Sequence, residues 1–221
     1  MQTKIPCLRA TRLAGFVALL LVVVPLFASQ SMAEGFKNPP EGAAALGRVG
    51  GKIAIADDAA AISHNPANLV DLTEPQVQAA LTIVHAKTEH KSPMEDSTET
   101  KDPWKFLPNF YAVQPGKDGN FAFGVGVTTP FGQSTEWEKD GFFRYAAPYF
   151  AELRMVEANP VAAVRIGEHL SVAAGVDFYW SDLELRQIYP WSMVTGNPMA
   201  PDGEAKFTGD GQAWGGNAAV T

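Results

Sequence analysis

Asn120-Phe121-Ala122-Phe123-Gly124-Val125-Gly126-Val127-Thr128 alternates with a period of two. Phe121, Phe123, Val125 and Val127 point one way, and Asn120, Ala122, Gly124, Gly126 and Thr128 the other. Successive side chains of a strand leave on opposite faces. Large apolar groups therefore meet one medium, while small or polar groups meet a crowded interior.

The same period recurs on both sides of this stretch. Val77, Ala79, Leu81 and Ile83 alternate with Gln76, Gln78, Ala80 and Thr82, and Leu107 to Gln114 forms a weaker strand. Ala151 to Ile166 reads as a longer, less regular one. Leu170, Val172, Ala174, Val176, Phe178 and Trp180 then alternate with Ser171, Ala173, Gly175, Asp177 and Tyr179. After Trp180 the apolar parity passes to Leu183 and Leu185, which predicts a β-bulge near Ser181-Asp182. A sixth strand begins near Ala205.

The connections sort by length. Lys87 to Phe106, Phe131 to Phe150 and Ile188 to about Glu204 are long, whereas Pro115 to Gly119 and Gly167-Glu168-His169 are short turns. Long outer loops alternating with short periplasmic turns mark a transmembrane antiparallel β-barrel. Strands of about 9 to 11 residues also suit a tilted span of the bilayer. A soluble β-sandwich alternates its faces too, but its loops have no reason to sort with strand parity. The all-β barrel is therefore the fold expected of residues 74–221.

Upstream, residues 1–33 read as a signal peptide. Lys4, Arg9 and Arg12 precede the apolar run Leu13 to Phe27, and Ser31-Met32-Ala33 places cleavage after Ala33. That run of 15 residues is short for a membrane anchor, which needs about 20. The single cysteine, Cys7, lies within the signal, so a disulfide scaffold and a thiolate metal cluster are excluded from the mature chain. Of 17 basic residues the signal takes three, leaving 14 against 24 acidic ones, a net charge of −10. Nucleic-acid binding is excluded on that balance, because phosphates require clustered Lys and Arg. Beyond the signal no apolar run reaches 18 residues, so a helical membrane protein is not expected. Residues 34–73, rich in Gly, Ala and Asn, form a compact irregular segment ahead of the strands.

Patterns for other chemistry are weak. Asp57-Asp58 has no His or Glu at ligand spacing and is read as a cap or anchor. His85 and His90 flank Glu89 but miss the zincin spacing. Gly47 to Lys52 lacks the first glycine and the Ser or Thr of a phosphate loop. No Gly-x-Ser-x-Gly elbow is present, so an esterase nucleophile has no signature. Neither a metal nor a cofactor is expected, and no catalytic residue is assigned.

An ordered set of motifs carries a resemblance. It comprises Leu46-Gly47-Arg48, Ala54-Ile55-Ala56-Asp57-Asp58-Ala59 and Asn65-Pro66-Ala67. Leu107-Pro108-Asn109, Thr129-Pro130-Phe131-Gly132, Asn159-Pro160-Val161-Ala162 and Leu170-Ser171-Val172 follow. In this order the chain resembles the FadL family of outer-membrane transporters for long-chain fatty acids. The resemblance implies a barrel of about 14 strands, within the even-numbered range of bacterial outer-membrane barrels. It implies an N-terminal hatch over residues 34–73 carrying Asn65, Pro66 and Ala67. It further implies passive uptake of a long-chain fatty acid or an aromatic hydrocarbon, by capture outside, binding in the lumen and lateral exit into outer-membrane lipid. The exit opens at a kink in the third strand, here Thr129, Pro130, Phe131 and Gly132. The chain offers about six strands and stops within an apparent strand, so it is expected to be the N-terminal part of a longer protein that is monomeric when full length.

Two sites carry open alternatives. Pro130 cannot donate a ladder hydrogen bond and Gly132 has no side chain to pack, so pairing weakens there. Asn65 is a candidate partner for the freed backbone groups. Alternatively, Pro130 simply ends the strand at the outer interface. The loop from Phe131 to Phe150 carries Trp137, Phe142 and Phe143, which read either as an interfacial aromatic girdle or as an apolar capture surface. For the whole protein, a structural or adhesive barrel and an outer-membrane lipase are the alternatives to a transporter.

Overall fold

The structure, a computed structural model, describes residues 37–38, 43–48, 53–54, 57–91, 97–141 and 143–221. The expected signal, 1–33, lies outside the described residues.

Period-two patterning builds one antiparallel sheet. Its strands are β1 (Gln76–His85), β4 (Trp104–Pro115), β5 (Phe121–Thr128), β6 (Gly132–Glu136), β7 (Phe150–Arg165), β8 (Ser171–Tyr189) and β9 (Gly203–Val220). The order is β1-β4-β5-β7-β8-β9, with β6 pairing β7 beyond the end of β5. A two-residue hairpin, β2 (Glu89–His90) with β3 (Thr98–Glu99), lies in the first long connection. Short helices are α1 (Ala43–Gly47), the 3-10 turns η1 (Ala59–Ser63) and η2 (Pro66–Asp71), and α2 (Trp191–Thr195). No helix among the described residues is long and apolar enough to cross a membrane.

The two faces of the sheet differ as the alternation demands. Phe121, Phe123, Val125 and Val127 are exposed on the outer face, beside Val77, Leu81 and Ile83 of β1 and Phe106 and Phe110 of β4. On β8 the outward apolar series runs from Val172 to Trp180. Eight steps of strand cover about 26 Å, on the scale of the ~25 Å apolar band of an outer-membrane barrel. The inner face meets the N-terminal segment. Tyr111, Val113, Ala122, Val161, Ala163 and Ala173 pack there against Ala59, Ala60, Ala61, Ile62, Ala67, Leu69 and Val70. The short turns close on left-handed glycines, Gly119 at φ 67° and Gly167 at φ 74°.

Three expectations are corrected. First, β8 and β9 are longer than a bilayer span requires, with 19 and 18 residues. Second, the connection after β5 is not all loop, because β6 resumes at Gly132 and pairs with Phe150–Arg154. The polar run Gln133-Ser134-Thr135 carries no apolar alternation that could betray it. Third, there is no bulge at Ser181-Asp182. The β8–β9 register is one-to-one from Val172↔Val220 through Asp182↔Asp210 to Tyr189↔Gly203. The parity flip marks a change of medium instead. Beyond Trp180 the outward face turns charged, with Asp182, Glu184 and Arg186, and Lys206 of β9 pairs with Glu184 at 3.1 Å. On the inner face Leu183 and Leu185 now lie level with Leu153 of β7 and Phe207 of β9. The sheet thus rises above the lipid belt with a polar exterior and an apolar inner wall.

Candidate functional site

Asn65 precedes a proline and is held extended, at φ −152° and ψ 92°. Its Oδ1 accepts the Ala67 N–H at 3.1 Å and caps η2, with Pro66 in the first turn where a missing N–H costs nothing. Its Nδ2 donates to the Ile53 carbonyl at 2.9 Å and to Thr221 Oγ1 at 2.8 Å. Asn68 Nδ2 reaches the same Ile53 carbonyl at 2.9 Å. Asn65, Pro66 and Ala67 therefore act as one unit, a buried cap that ties residue 53 to the end of β9. Asp58 caps η1 through the Ala60 N–H at 3.0 Å, and Asp57 pairs with Arg48 at 2.6 Å.

The small-residue face of β5 is shaped to this segment. A Cβ at Gly124 would lie 2.8 Å from Ile62 Cδ1. One at Gly126 would lie 3.1 Å from Ile62 Cγ2 and 3.3 Å from the Tyr111 ring. Ile62 thus occupies the space that two side chains would need. Ser63 Oγ and Tyr111 Oη are hydrogen-bonded at 3.1 Å. At the other end Arg165 donates to the Val70 carbonyl at 3.1 Å and pairs with Asp71.

The third strand breaks where Pro130 removes a donor. β4 pairs β5 only from Pro115↔Ala122 to Phe110↔Val127. Past the break β6 pairs β7 alone, so its other edge leaves a gap toward Trp104–Pro108 of β4. The base of the gap is fastened: Asn109 Oδ1 accepts the Thr129 N–H at 3.2 Å, and Glu157 of β7 accepts from Thr128 at 3.0 Å and Tyr179 at 3.1 Å. The top is closed by Lys101, whose N–H donates to the Glu136 carbonyl at 2.7 Å. Between them lies a cavity of about 610 Å³, lined among others by Leu107, Pro108, Phe131, Gly132, Leu153 and Met155.

Asn65 is not the partner at this break. Its side chain is committed to Ile53, Ala67 and the end of β9. Asn38 takes that place: its backbone N–H donates to the Pro130 carbonyl at 2.8 Å, and its Nδ2 to the Thr129 carbonyl at 2.6 Å. Backbone groups facing lipid find no water, so a break in the wall needs such a donor. Nothing in the sequence around Asn38 singles it out. Asn109, by contrast, sits in the quoted Leu107-Pro108-Asn109, and its bond to Thr129 is what the motif supplies.

Outside the belt the aromatic loop is pinned rather than free. Trp137 and Phe143 meet edge to face at 4.9 Å, and the His90 ring of β2 lies 5.0 Å from Phe143, tilted by 60°. Phe142 lies outside the described residues. His85 packs against Trp104 at 4.7 Å, so the two histidines serve different contacts. Asp202 Oδ2 accepts from Tyr145 at 2.7 Å and Arg144 at 2.6 Å, and Lys139 pairs with Glu204 at 2.6 Å. The Tyr145 hydroxyl, then the Arg144 guanidinium, hold the Asp202 carboxyl below its ordinary value. The same bond to Asp202 pushes the Tyr145 phenol up.

Comparison with known proteins fits this geometry. Residues 24–220 match the family described as Outer membrane protein transport protein (OMPP1/FadL/TodX). A long-chain fatty acid transport protein of Escherichia coli O6:H1 is 28% identical over 177 residues, covering 76% of this chain and 39% of the relative. This chain therefore spans about two fifths of that relative's length. Among solved structures, a Pseudomonas aeruginosa FadL homologue superposes with a TM-score of 0.59 at 17% identity, over 84% of this chain and 49% of the other. The P. putida toluene transporter TodX gives 0.59 at 18% identity, over 75% and 48%. These likenesses establish the β-barrel fold and the outer membrane as its location. The chain belongs to the outer membrane protein transport protein (OMPP1/FadL/TodX) family.

Proposed function

We propose that the full-length protein is an outer-membrane channel for passive uptake of long-chain fatty acids or other hydrophobic molecules. The observation that carries this reading is the break between β5 and β6, with its cavity of about 610 Å³ and the N-terminal segment packed behind it. A filled structural barrel has no use for such a gap, since unpaired strand edges in lipid are costly. The relatives named for fatty acid and toluene transport support the same reading.

In this scheme residues 34–73 form the hatch, and Asn65-Pro66-Ala67 holds its fold. Trp137, Phe142 and Phe143 offer an apolar surface for capture outside. The inner wall of Leu153, Leu183, Leu185 and Phe207 then receives the cargo above the lipid belt. Thr129-Pro130-Phe131-Gly132 frames the lateral exit, so the cargo passes from an apolar lumen into bilayer lipid without crossing water. Partition into apolar surroundings supplies the driving force. No catalytic step is involved, and one full-length monomer suffices.

Uptake assays decide the matter. Cells carrying the complete gene should accumulate labelled oleate or toluene above a gene-deleted background. Equal accumulation of both compounds with and without the gene would refute the channel.

A further inference from the structure

We propose that Asp177, Asn159 and Asn217 form an oxygen-donor site on the inner wall for a hard cation of the calcium class. The site uses neither the break between β5 and β6 nor the aromatic loop, so it does not rest on the channel reading.

The three side chains come from adjacent strands. In β7, Asn159 lies between the register pairs Ala158↔Phe178 and Val161↔Gly175, which sets it beside Asp177 of β8. In β9, Asn217 pairs with Gly175 and Gly215 with Asp177. All three share the inner face, the side on which Val161 meets the N-terminal segment. Glycine makes the room. A Cβ at Gly175 would lie 2.6 Å from Val161 Cγ1 and 2.9 Å from both Asn159 Oδ1 and Asn217 Nδ2. One at Gly215 would lie 3.4 Å from Asp177 Oδ2. The polar tips thus gather over two positions that carry no side chain.

Their bonding is one-sided. Asp177 is 7% exposed and Asn159 8%. Asp177 Oδ1 accepts from Asn217 Nδ2 at 2.6 Å, a neutral donor, and no cation pairs with this carboxylate among the described residues. Asn159 Oδ1 and Asn217 Oδ1 are buried, and no described residue donates to either. Glu157, the next inward residue of β7, adds a second negative group nearby, but its oxygens already accept from Thr128 and Tyr179.

A buried carboxylate without a counter-charge is costly, and so is each orphaned amide oxygen. A bridging water would meet the amide oxygens but leave the charge unmet. A cation meets both. Carboxylate and amide oxygens, with no nitrogen or sulfur in the set, suit calcium, magnesium or manganese. Calcium tolerates an irregular shell of about 6–8 oxygens completed by water, whereas magnesium demands a near-ideal octahedron. One carboxylate in direct contact places the affinity in the weak range of extracellular sites, about 10⁻⁴–10⁻³ M.

The test is equilibrium dialysis of radiocalcium against the purified full-length protein in neutral detergent and about 0.15 M sodium chloride, which screens diffuse attraction to an acidic chain. Wild type, Asp177→Asn, Asn159→Leu and Asp182→Asn are compared, the last removing a carboxylate from the outer face. Wild type should bind a calcium ion that Asp177→Asn does not. Asn159→Leu should bind it about tenfold more weakly, and Asp182→Asn as wild type does. Equal binding by wild type and Asp177→Asn would overturn the proposal. So would a wild type that binds no calcium in this salt, the result expected if water or a basic side chain meets Asp177 instead. Should Asp177→Asn fail to give a heat-modifiable barrel, Asn159→Leu decides, and unchanged calcium affinity in that variant sinks the idea.

Discussion

Gly124→Ala should loosen the N-terminal segment without disturbing the barrel wall. The new Cβ falls 2.8 Å from Ile62 Cδ1 and 3.2 Å from Ile62 Cγ1. Carbon pairs settle at about 3.5–4.0 Å, so Ile62 has to retreat by roughly 0.7 Å or more. It has little room, being 2% exposed within the core of the segment. Overpacking of this kind costs about 1–3 kcal/mol. Alanine in a strand also gains slightly over glycine in the unfolded chain, so global stability is a poor readout. Local opening is a better one. The His64 and Asn65 N–H groups both donate to the Ala61 carbonyl, at 3.1 Å and 2.9 Å, and report directly on the segment. Native-state amide exchange at these two positions should accelerate by about 5- to 150-fold, the equivalent of 1–3 kcal/mol. Ile62→Val removes the offending Cδ1 and alone costs about 0.5–1.5 kcal/mol. The double variant should therefore exchange more slowly than the sum of the single effects requires. Unchanged exchange in Gly124→Ala, or strict additivity in the double variant, would refute the fit between Ile62 and the glycines.

The remaining predictions follow the same geometry. Asn65→Ala removes the cap on η2 and the bonds to Ile53, at about 0.5–2 kcal/mol for the cap alone, and should lower uptake at equal surface expression while heat-modifiability persists. Gly132→Arg puts a Cβ 3.3 Å from the Leu153 carbonyl and a long side chain into the gap, so oleate and toluene uptake should fall sharply with the barrel intact. Asp202 has a lowered pKa, so its hold on Tyr145 and Arg144 is present above the ordinary value of 3.8 and is lost as pH falls through the lower folded value. Proteolysis of the 137–149 loop should therefore rise below about pH 3.8, and Asp202→Asn should show that sensitivity already at neutral pH. N-terminal sequencing of the exported protein should start at or near Glu34; retention of Leu13 to Phe27 would refute cleavage.

Legibility followed locality. Alternation in β1, β5 and the lower half of β8 was readable, because each residue reports on the medium beside it. β6 was not, because a short strand of polar residues above the belt has no apolar partner phase. The parity flip after Trp180 was visible, but its cause was not. A bulge and a change of medium leave the same pattern in one strand, and only pairing with β7 and β9 separates them. In the site, Asn65-Pro66-Ala67 and Pro130 were recognisable through local backbone rules. Asn38 was invisible, since its partners, the Thr129 and Pro130 carbonyls, lie far along the chain.

What the sequence by itself determined was the class of solution: a chain of strands whose faces alternate and whose loops sort by length. Those properties follow from short-range chemistry, namely which side chains tolerate lipid and which residues turn the backbone. Tertiary structure alone decided that the chain resumes as β6 on β7 after the break and which donor meets the carbonyls freed there. Each of these depends on register between strands and on packing of the N-terminal segment across the sheet. Both are settled by shape and hydrogen-bond completion among residues some 20 to 90 positions apart, and no single stretch of sequence records them.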